Sequence, residues 1–276
     1  TPSNSSAASD VYKRQILFYF RYEEFCSSIY KDKIMKVIAV IPARYASSRF
    51  SGKPLADICG KPMIWWVYRT VFSIKSFSDV VVATDDERII SVCREYNMHC
   101  ILTSDTHPTH IHRIHEVSIR IQADYYVVVC GDEPLIKEDV IKSVLPLELF
   151  TDLYVGGLCR YFTDPAEVMD PANIKIVTNA DDECVLLTRA VVPFPYKSIL
   201  FKYKKVVGVE CYNKKALDFF VNTPKGFLES IEDVTLQRFL ENKIHIKYKL
   251  VDSISISVDT PRDIEKVREL IKNRKE

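Results

Sequence analysis

Residues 35–63 read MKVIAVIPARYASSRFSGKPLADICGKPM, and no other stretch limits the possible folds as much. Residues 37–41 form a short apolar run with the look of a buried strand. A polar loop comes directly after it, carrying Arg44, Arg49 and Lys53, with Gly52 placed for a turn. The loop closes on Gly60, Lys61 and Pro62, just before an apolar pattern of helical period. In open α/β sheets, ligands sit beyond the carboxyl ends of strands. A strand that ends in three cations and several small residues suits a polyphosphate. The cations supply charge, and Ala43, Ser47, Ser48 and Gly52 let backbone amides approach an anion. The GxxxxGK[ST] pattern of a P-loop is absent.

Strand and helix signals alternate through the first half. Helices are expected over 63–72, 87–96, 113–123 and 137–144, and strands over 79–84 (DVVVAT), 100–103 and 124–130 (DYYVVVC). That alternation predicts a parallel sheet with right-handed crossovers. The second half is less regular. Strands are expected over 153–161, 174–178, 185–189, 206–211, 244–251 and 253–258, with helices over 214–221, 228–242 and 261–272. The whole is an α/β protein with a mixed, mostly parallel sheet flanked by helices.

Composition narrows the function. With 47% apolar residues, 27% charged residues and a net charge of +1, the chain reads as a soluble globular protein. Neither nucleic acid nor a membrane surface is implied as a partner. The eight cysteines form no CxxC, which is the usage of reduced thiols in a cytoplasmic protein. Residues 1–34 open with the polar, low-complexity TPSNSSAASD and hold one apolar run, 16–20, too short to cross a bilayer. They are expected to be a non-native or disordered leader, the rival being an amphipathic extension; residues 35–276 are expected to be one domain.

Two carboxylates stand at predicted strand ends, Asp132 in Gly-Asp-Glu-Pro and Asp259 in Ser-Val-Asp-Thr-Pro. Brought together, they could hold a hard divalent cation that bridges phosphate oxygens. Taken alone, Asp132 also reads as a turn residue, and Asp259 or Thr260 before Pro261 as a helix N-cap. His107, His110, His112 and His115 are four of the six histidines. Their density admits zinc or nickel, but on a helix the rings diverge, and the neighbouring sequence supplies no evident further ligand.

IPARYASSRFSGKPL, VVCGDEPLI and ISVDTPRDIEKV together resemble motifs of the CMP-KDO synthetases (3-deoxy-manno-octulosonate cytidylyltransferases), sugar nucleotidyltransferases with a Rossmann-like fold. The resemblance runs over nearly all of residues 35–271. It implies attack of the anomeric hydroxyl of KDO or a related 2-keto sugar acid on the α-phosphorus of CTP, with release of pyrophosphate and no protein nucleophile. It also implies Mg²⁺ on Asp132 and Asp259, phosphate contacts from Arg44 and Lys53, a cytoplasmic homodimer and a place in lipopolysaccharide synthesis. Nucleotide contacts are expected from Pro42, Ala43, Arg44, Ser47, Lys53, Thr103 and Gly131. The family's HPSGTDR-like pocket segment corresponds to residues 107–113, so His110, His112 and Arg113, with Arg189 and Glu210, are expected to face the sugar. Departures collect there. Cys130 replaces a Gln, Val206 and Glu210 replace a His and a Tyr around a retained Gly208, and Thr235-Leu236 replaces Glu-Gln. These changes bear on which sugar acid is used. The alternatives are a cytidylyltransferase for a different nonulosonic or amino-substituted acid, or a catalytically silent nucleotide-sugar-binding homologue.

Overall fold

The computed structural model describes residues 35–46, 50–197, 202–253 and 256–273. The chain divides into two units between Met35 and Lys36. The expected leader falls outside the described residues, and the unit from Lys36 onward carries every element described below.

A nine-stranded sheet forms the frame. Its parallel part holds β1 (Val37–Ala43), β4 (Asp79–Thr84), β5 (Cys100–Leu102) and β6 (Tyr125–Val129) in the order β6-β1-β4-β5. Between β1 and β4 lie the two-residue strands β2 (Asp57–Ile58) and β3 (Lys61–Pro62), which pair as a small hairpin of their own. Residues Ile38, Ala39, Val40 and Ile41 are fully buried, and so is almost all of β6. This is why both strands read as unbroken apolar runs: a parallel strand is covered on both faces. The helices Met63–Phe72 and Glu87–Glu95 connect β1 to β4 and β4 to β5. The helix His110–Arg120 then carries the chain back to β6 on the far side of β1. Strand order therefore reverses at β1, and a crevice opens beyond the carboxyl ends of β1 and β6.

The second half extends this sheet. The strand β10 (Lys204–Asn213) lies antiparallel between β6 and β7 (Val155–Tyr161), and β11 (Lys247–Leu250) runs parallel to β7 at the edge. Near its start β10 also pairs with β8 (Lys175–Thr178), which pairs in turn with β9 (Cys184–Thr188). The mixed sheet expected from the sequence is thus present.

Several local expectations are corrected. The helix expected over 113–123 starts at His110, after extended Thr109, and ends where Ile121 turns extended. The helix expected over 228–242 is two, Phe227–Glu232 and Gln237–Glu241, because Asp233 takes a left-handed conformation (φ 51°) that ends the first. The strand expected over 253–258 is irregular at Ser253 and at residues 256–258; the rest of it lies outside the described residues. A short helix, Pro165–Met169, was not expected, although Asp164 caps it and Pro165 occupies its first turn.

Candidate active site

The site begins where β1 ends. After Ala43 the loop returns through Gly52, whose φ of 73° suits a residue without a side chain. Its N–H donates to the Tyr45 carbonyl at 2.8 Å, and a 3-10 turn, Lys53–Leu55, comes next with Pro54 buried. This turn aims Lys53 at the end of β6. Its Nζ donates to Asp132 Oδ2 at 2.8 Å and to the Val258 carbonyl at 2.9 Å. The Val258 N–H donates in turn to the Asp132 carbonyl at 2.8 Å. Three segments distant in sequence are thereby laced together, and Asp259 is the next residue along.

The alternative reading of Asp259 as a cap side chain meets a specific arrangement here. Asp263 accepts from the Asp259 N–H at 3.2 Å, the Thr260 N–H at 2.9 Å and Thr260 Oγ1 at 2.8 Å. The start of the helix Pro261–Asn273 is thus capped by Asp263 reaching back, as in a capping box. Asp132 and Asp259 line one cavity of about 240 Å³, together with Cys130, Arg160, Lys205 and Glu210. Arg160, Lys205 and Asp259 also border a wider hollow of about 1010 Å³. Gly131 lies beside the end of β1, where a Cβ would make an ordinary van der Waals contact, 3.4 Å from the Pro42 carbonyl oxygen.

The remaining expected residues divide between wall and support. Arg44 donates through Nη2 to the His107 carbonyl. Burial and the nearby Arg113 lower its pKa, with Asp85 opposing them. Thr103 donates through Oγ1 to the Thr84 carbonyl at 3.0 Å and accepts from Arg113 Nη1. Arg113 is fully buried and also binds Asp85 at 2.6 Å, so it ties together the ends of β4 and β5 and does not line the cavity. Ser47 lies outside the described residues. Arg189 spends its guanidinium on the carbonyls of Glu232, Pro171 and Asp233 at 2.5, 2.8 and 3.2 Å.

The four clustered histidines find four separate partners: Glu116 for His107, Glu210 for His110, Thr109 for His112 and Asp218 for His115. No group of three potential metal ligands occurs among the described residues. His112 packs edge-on against Phe220. Burial, aided by the charge of Arg238, lowers its pKa to about 4. His110 instead reaches the cavity wall, its Nε2 2.9 Å from Glu210 Oε2, which also accepts from Tyr212 Oη at 2.6 Å. Burial alone would raise the Glu210 carboxyl, but the charge and hydrogen bond of His110 and the Tyr212 hydroxyl outweigh it and hold the pKa below the ordinary value. Burial pushes the Cys130 thiol well up, so it stays protonated and unsuited to nucleophilic work. Leu236, which the resemblance pairs with a sugar-facing residue, lies in the core. Among the cavity residues that sequence reasoning missed are the two basic ones, Arg160 and Lys205. They stand 45 positions apart, and only the pairing of β7 with β10 makes them neighbours.

Residues 38–248 match the family model described as Cytidylyltransferase. The chain is 37% identical over 252 residues to a 3-deoxy-manno-octulosonate cytidylyltransferase of Geotalea daltonii, covering 87% of this chain and all of that one. It is 34% identical over 237 residues to one of Escherichia coli, covering 86% and 96%. The solved structure of a CMP:2-keto-3-deoxy-manno-octonic acid synthetase complexed with CTP superposes with a TM-score of 0.79 at 33% identity, covering 87% of this chain and 99% of that one.

Proposed function

The chain belongs to the 3-deoxy-manno-octulosonate cytidylyltransferase family, and on that premise we propose that it transfers CMP from CTP to KDO or a closely related 2-keto sugar acid in the cytoplasm. The observation that carries this reading is the junction of Lys53, Asp132 and Val258 beside Asp259, where a cationic loop meets two carboxylates that line one cavity.

Asp132 and Asp259 fit a magnesium ion. Both are hard oxygen donors that line the same cavity, and Mg²⁺ is commonly held by one or two carboxylates. Asp132 and Asp259 would hold it, and its charge would supply neutralisation of the transferred phosphoryl group. The chain's own groups do the rest. The end of β1 at Pro42 and Ala43, the backbone at Gly131 and the strand end at Thr103 form the bed for the nucleotide. Arg44 and Lys53 hold the phosphates, and Lys53 is already fixed from two sides, so little reorganisation accompanies reaction. The sugar acid lies against His110 and Glu210. Its anomeric oxygen forms a bond to the α-phosphorus as the bond to the bridging oxygen breaks, and pyrophosphate leaves. Positioning and charge neutralisation suffice for such a transfer. His112, Arg113 and Arg189 serve one step back: they brace the helix, the strand ends and the loops that shape the wall. Pairing of two copies through the second half belongs to the same reading, and sizing in solution tests it.

A second reading concerns the acceptor. Cys130 and Val206 offer the cavity little hydrogen bonding, while Glu210 brings an anion held ionised. A wall of this kind favours an amino-bearing or otherwise altered sugar acid over plain KDO. Pyrophosphate release with CTP, UTP, ATP and GTP across a panel of 2-keto sugar acids tests both readings. We expect CTP with a sugar acid to be the productive pair. Turnover with another nucleotide but not with CTP would overturn the first reading, and KDO used as efficiently as every substituted acid would overturn the second.

A further inference from the structure

Arg160 on β7 and Lys205 on β10 are direct cross-strand partners, and Lys205 is in turn partnered by Lys175 on β8. Three basic residues thus stand in one row across three strands. Like charges directly opposite one another in an antiparallel pair are destabilising, and little water offsets the effect here. The Arg160 and Lys205 side chains are 11% and 16% exposed, and Lys175 is fully buried. Lys175 is absorbed by the structure, donating to the carbonyls of Asp170 and Arg189 at 2.7 and 3.0 Å. The other two are less well neutralised. They share the carboxylate of Glu167, which lies 3.9 Å from Arg160 and 3.4 Å from Lys205 and is itself 40% exposed. The closer contacts are to neutral oxygens: the Tyr161 carbonyl at 3.0 Å from Arg160, and Asn173 Oδ1 at 2.8 Å from Lys205. Both cations line the 240 Å³ cavity that holds Asp132 and Asp259.

We propose that Arg160 and Lys205 are the receptor for the carboxylate of the acceptor substrate, so that the chain selects a sugar acid over a neutral sugar. The inference rests on the cytidylyltransferase reading, which supplies two anionic partners. The triphosphate has its own cations, Arg44 and Lys53, on the β1 loop. The acid group of the acceptor has none there, and the Arg160–Lys205 pair faces the space next to the metal-site carboxylates from the opposite strands. An arriving carboxylate relieves the repulsion within the row and accepts charge-assisted hydrogen bonds from both residues. Binding energy otherwise opposed by the acidic groups of the cavity is thereby recovered. The pair is a specificity device: it recognises the charged substituent and takes no part in the bond exchange.

The test compares KDO with its neutral carboxamide, and likewise each other acid of the panel that turns over. The readout is the kcat/KM ratio of acid to amide in the wild-type chain and in Arg160→Gln and Lys205→Gln, with the KM for CTP measured alongside. A charge-assisted hydrogen bond contributes roughly tenfold or more in affinity. The wild-type ratio is therefore expected near 10², falling by about tenfold in each variant, while the KM for CTP stays within about twofold. Arg160→Lys keeps the charge and should keep most of the preference; it also serves if Arg160→Gln does not fold. An acid-to-amide ratio unchanged in both neutral variants would overturn the proposal. So would a KM for CTP that rises in parallel, which would assign the pair to the triphosphate. A wild-type chain that releases pyrophosphate with no sugar acid at all refutes the parent reading and this one with it. That outcome is distinct from normal turnover with unaltered selectivity, which refutes this one alone.

Discussion

Lys53 and Asp132 form the ion pair to which the proposed function assigns a part in catalysis. Their ion pair is partly exposed, at 18% and 28%, and such pairs contribute about 0–1 kcal/mol to stability. Lys53→Ala should therefore leave the thermal midpoint within a few degrees while lowering kcat/KM for CTP by about 10²-fold, because the proposed function assigns the lost charge to the phosphates. Melting curves and steady-state kinetics on the same preparation check this. A variant that melts much earlier yet uses CTP normally would make Lys53 structural. Arg44→Ala should act in the same direction. At this scale the sequence was informative where a residue's place depends on its own loop: Lys53, Asp132 and Asp259 could be singled out as candidates from short motifs, and the structure brings Lys53 to Asp132 and to Val258, the residue before Asp259. It was uninformative where the role depends on what another loop offers. Arg189 has the charge for an acid ligand, but the carbonyls of Pro171, Glu232 and Asp233 surround it, and no local pattern announces that.

The elements behind the site are held by buried polar links as well as by apolar packing. Where Asp233 interrupts what reads as one long helix, Arg238 joins the pieces. Its Nε and Nη2 donate to the two carboxylate oxygens of Glu229 at 2.7 Å each, and Nη1 donates to the carbonyls of Phe220 and Thr223. Both partners are almost wholly buried, at 3% and 1%. Removing one partner of such a pair strands the other charge, so Glu229→Gln should cost about 3–5 kcal/mol in urea unfolding, with the KM for CTP of the folded fraction unchanged. His112 lies at the packing of His110–Arg120 against Lys214–Asn222. Its folded pKa of about 4 is below the value of 6.5 for a free imidazole. Between those values the unfolded chain binds a proton that the folded chain refuses. Its contribution to stability is therefore complete above pH 6.5 and is lost as the pH falls toward 4. His112→Gln should make the acid limb of the stability curve shallower in that window, as chemical denaturation from pH 7 to pH 4 would show; an unchanged slope would mean that the imidazole titrates normally.

Over the whole molecule, chain order explains why the site lies where it does. The crossover that returns to the far side of β1 puts the ends of β1 and β6 next to each other, and the segment before the last helix closes over them through the Val258–Asp132 bond. The parallel half was legible because strands buried on both faces give apolar runs such as DVVVAT and DYYVVVC. The second half was harder to read. Its short strands mix exposed and buried positions, and its register contains a bulge between Val207 and Glu210, near Gly208, where a Cβ would meet Glu133 Oε1 at 2.8 Å. The pairing of Arg160 with Lys205 is a property of that register and is invisible along the chain. CMP transfer at the two carboxylates brought together by this topology is tested most directly by one comparison. The rate of CTP- and sugar-acid-dependent pyrophosphate release is measured for the wild-type chain and for Asp259→Asn, at saturating Mg²⁺. The Asp132 carboxylate and the Val258 carbonyl hold Lys53 in both proteins, so the variant should melt normally. A rate lower by about 10²-fold or more in the folded variant is the expected result, and equal rates in the two proteins would contradict it.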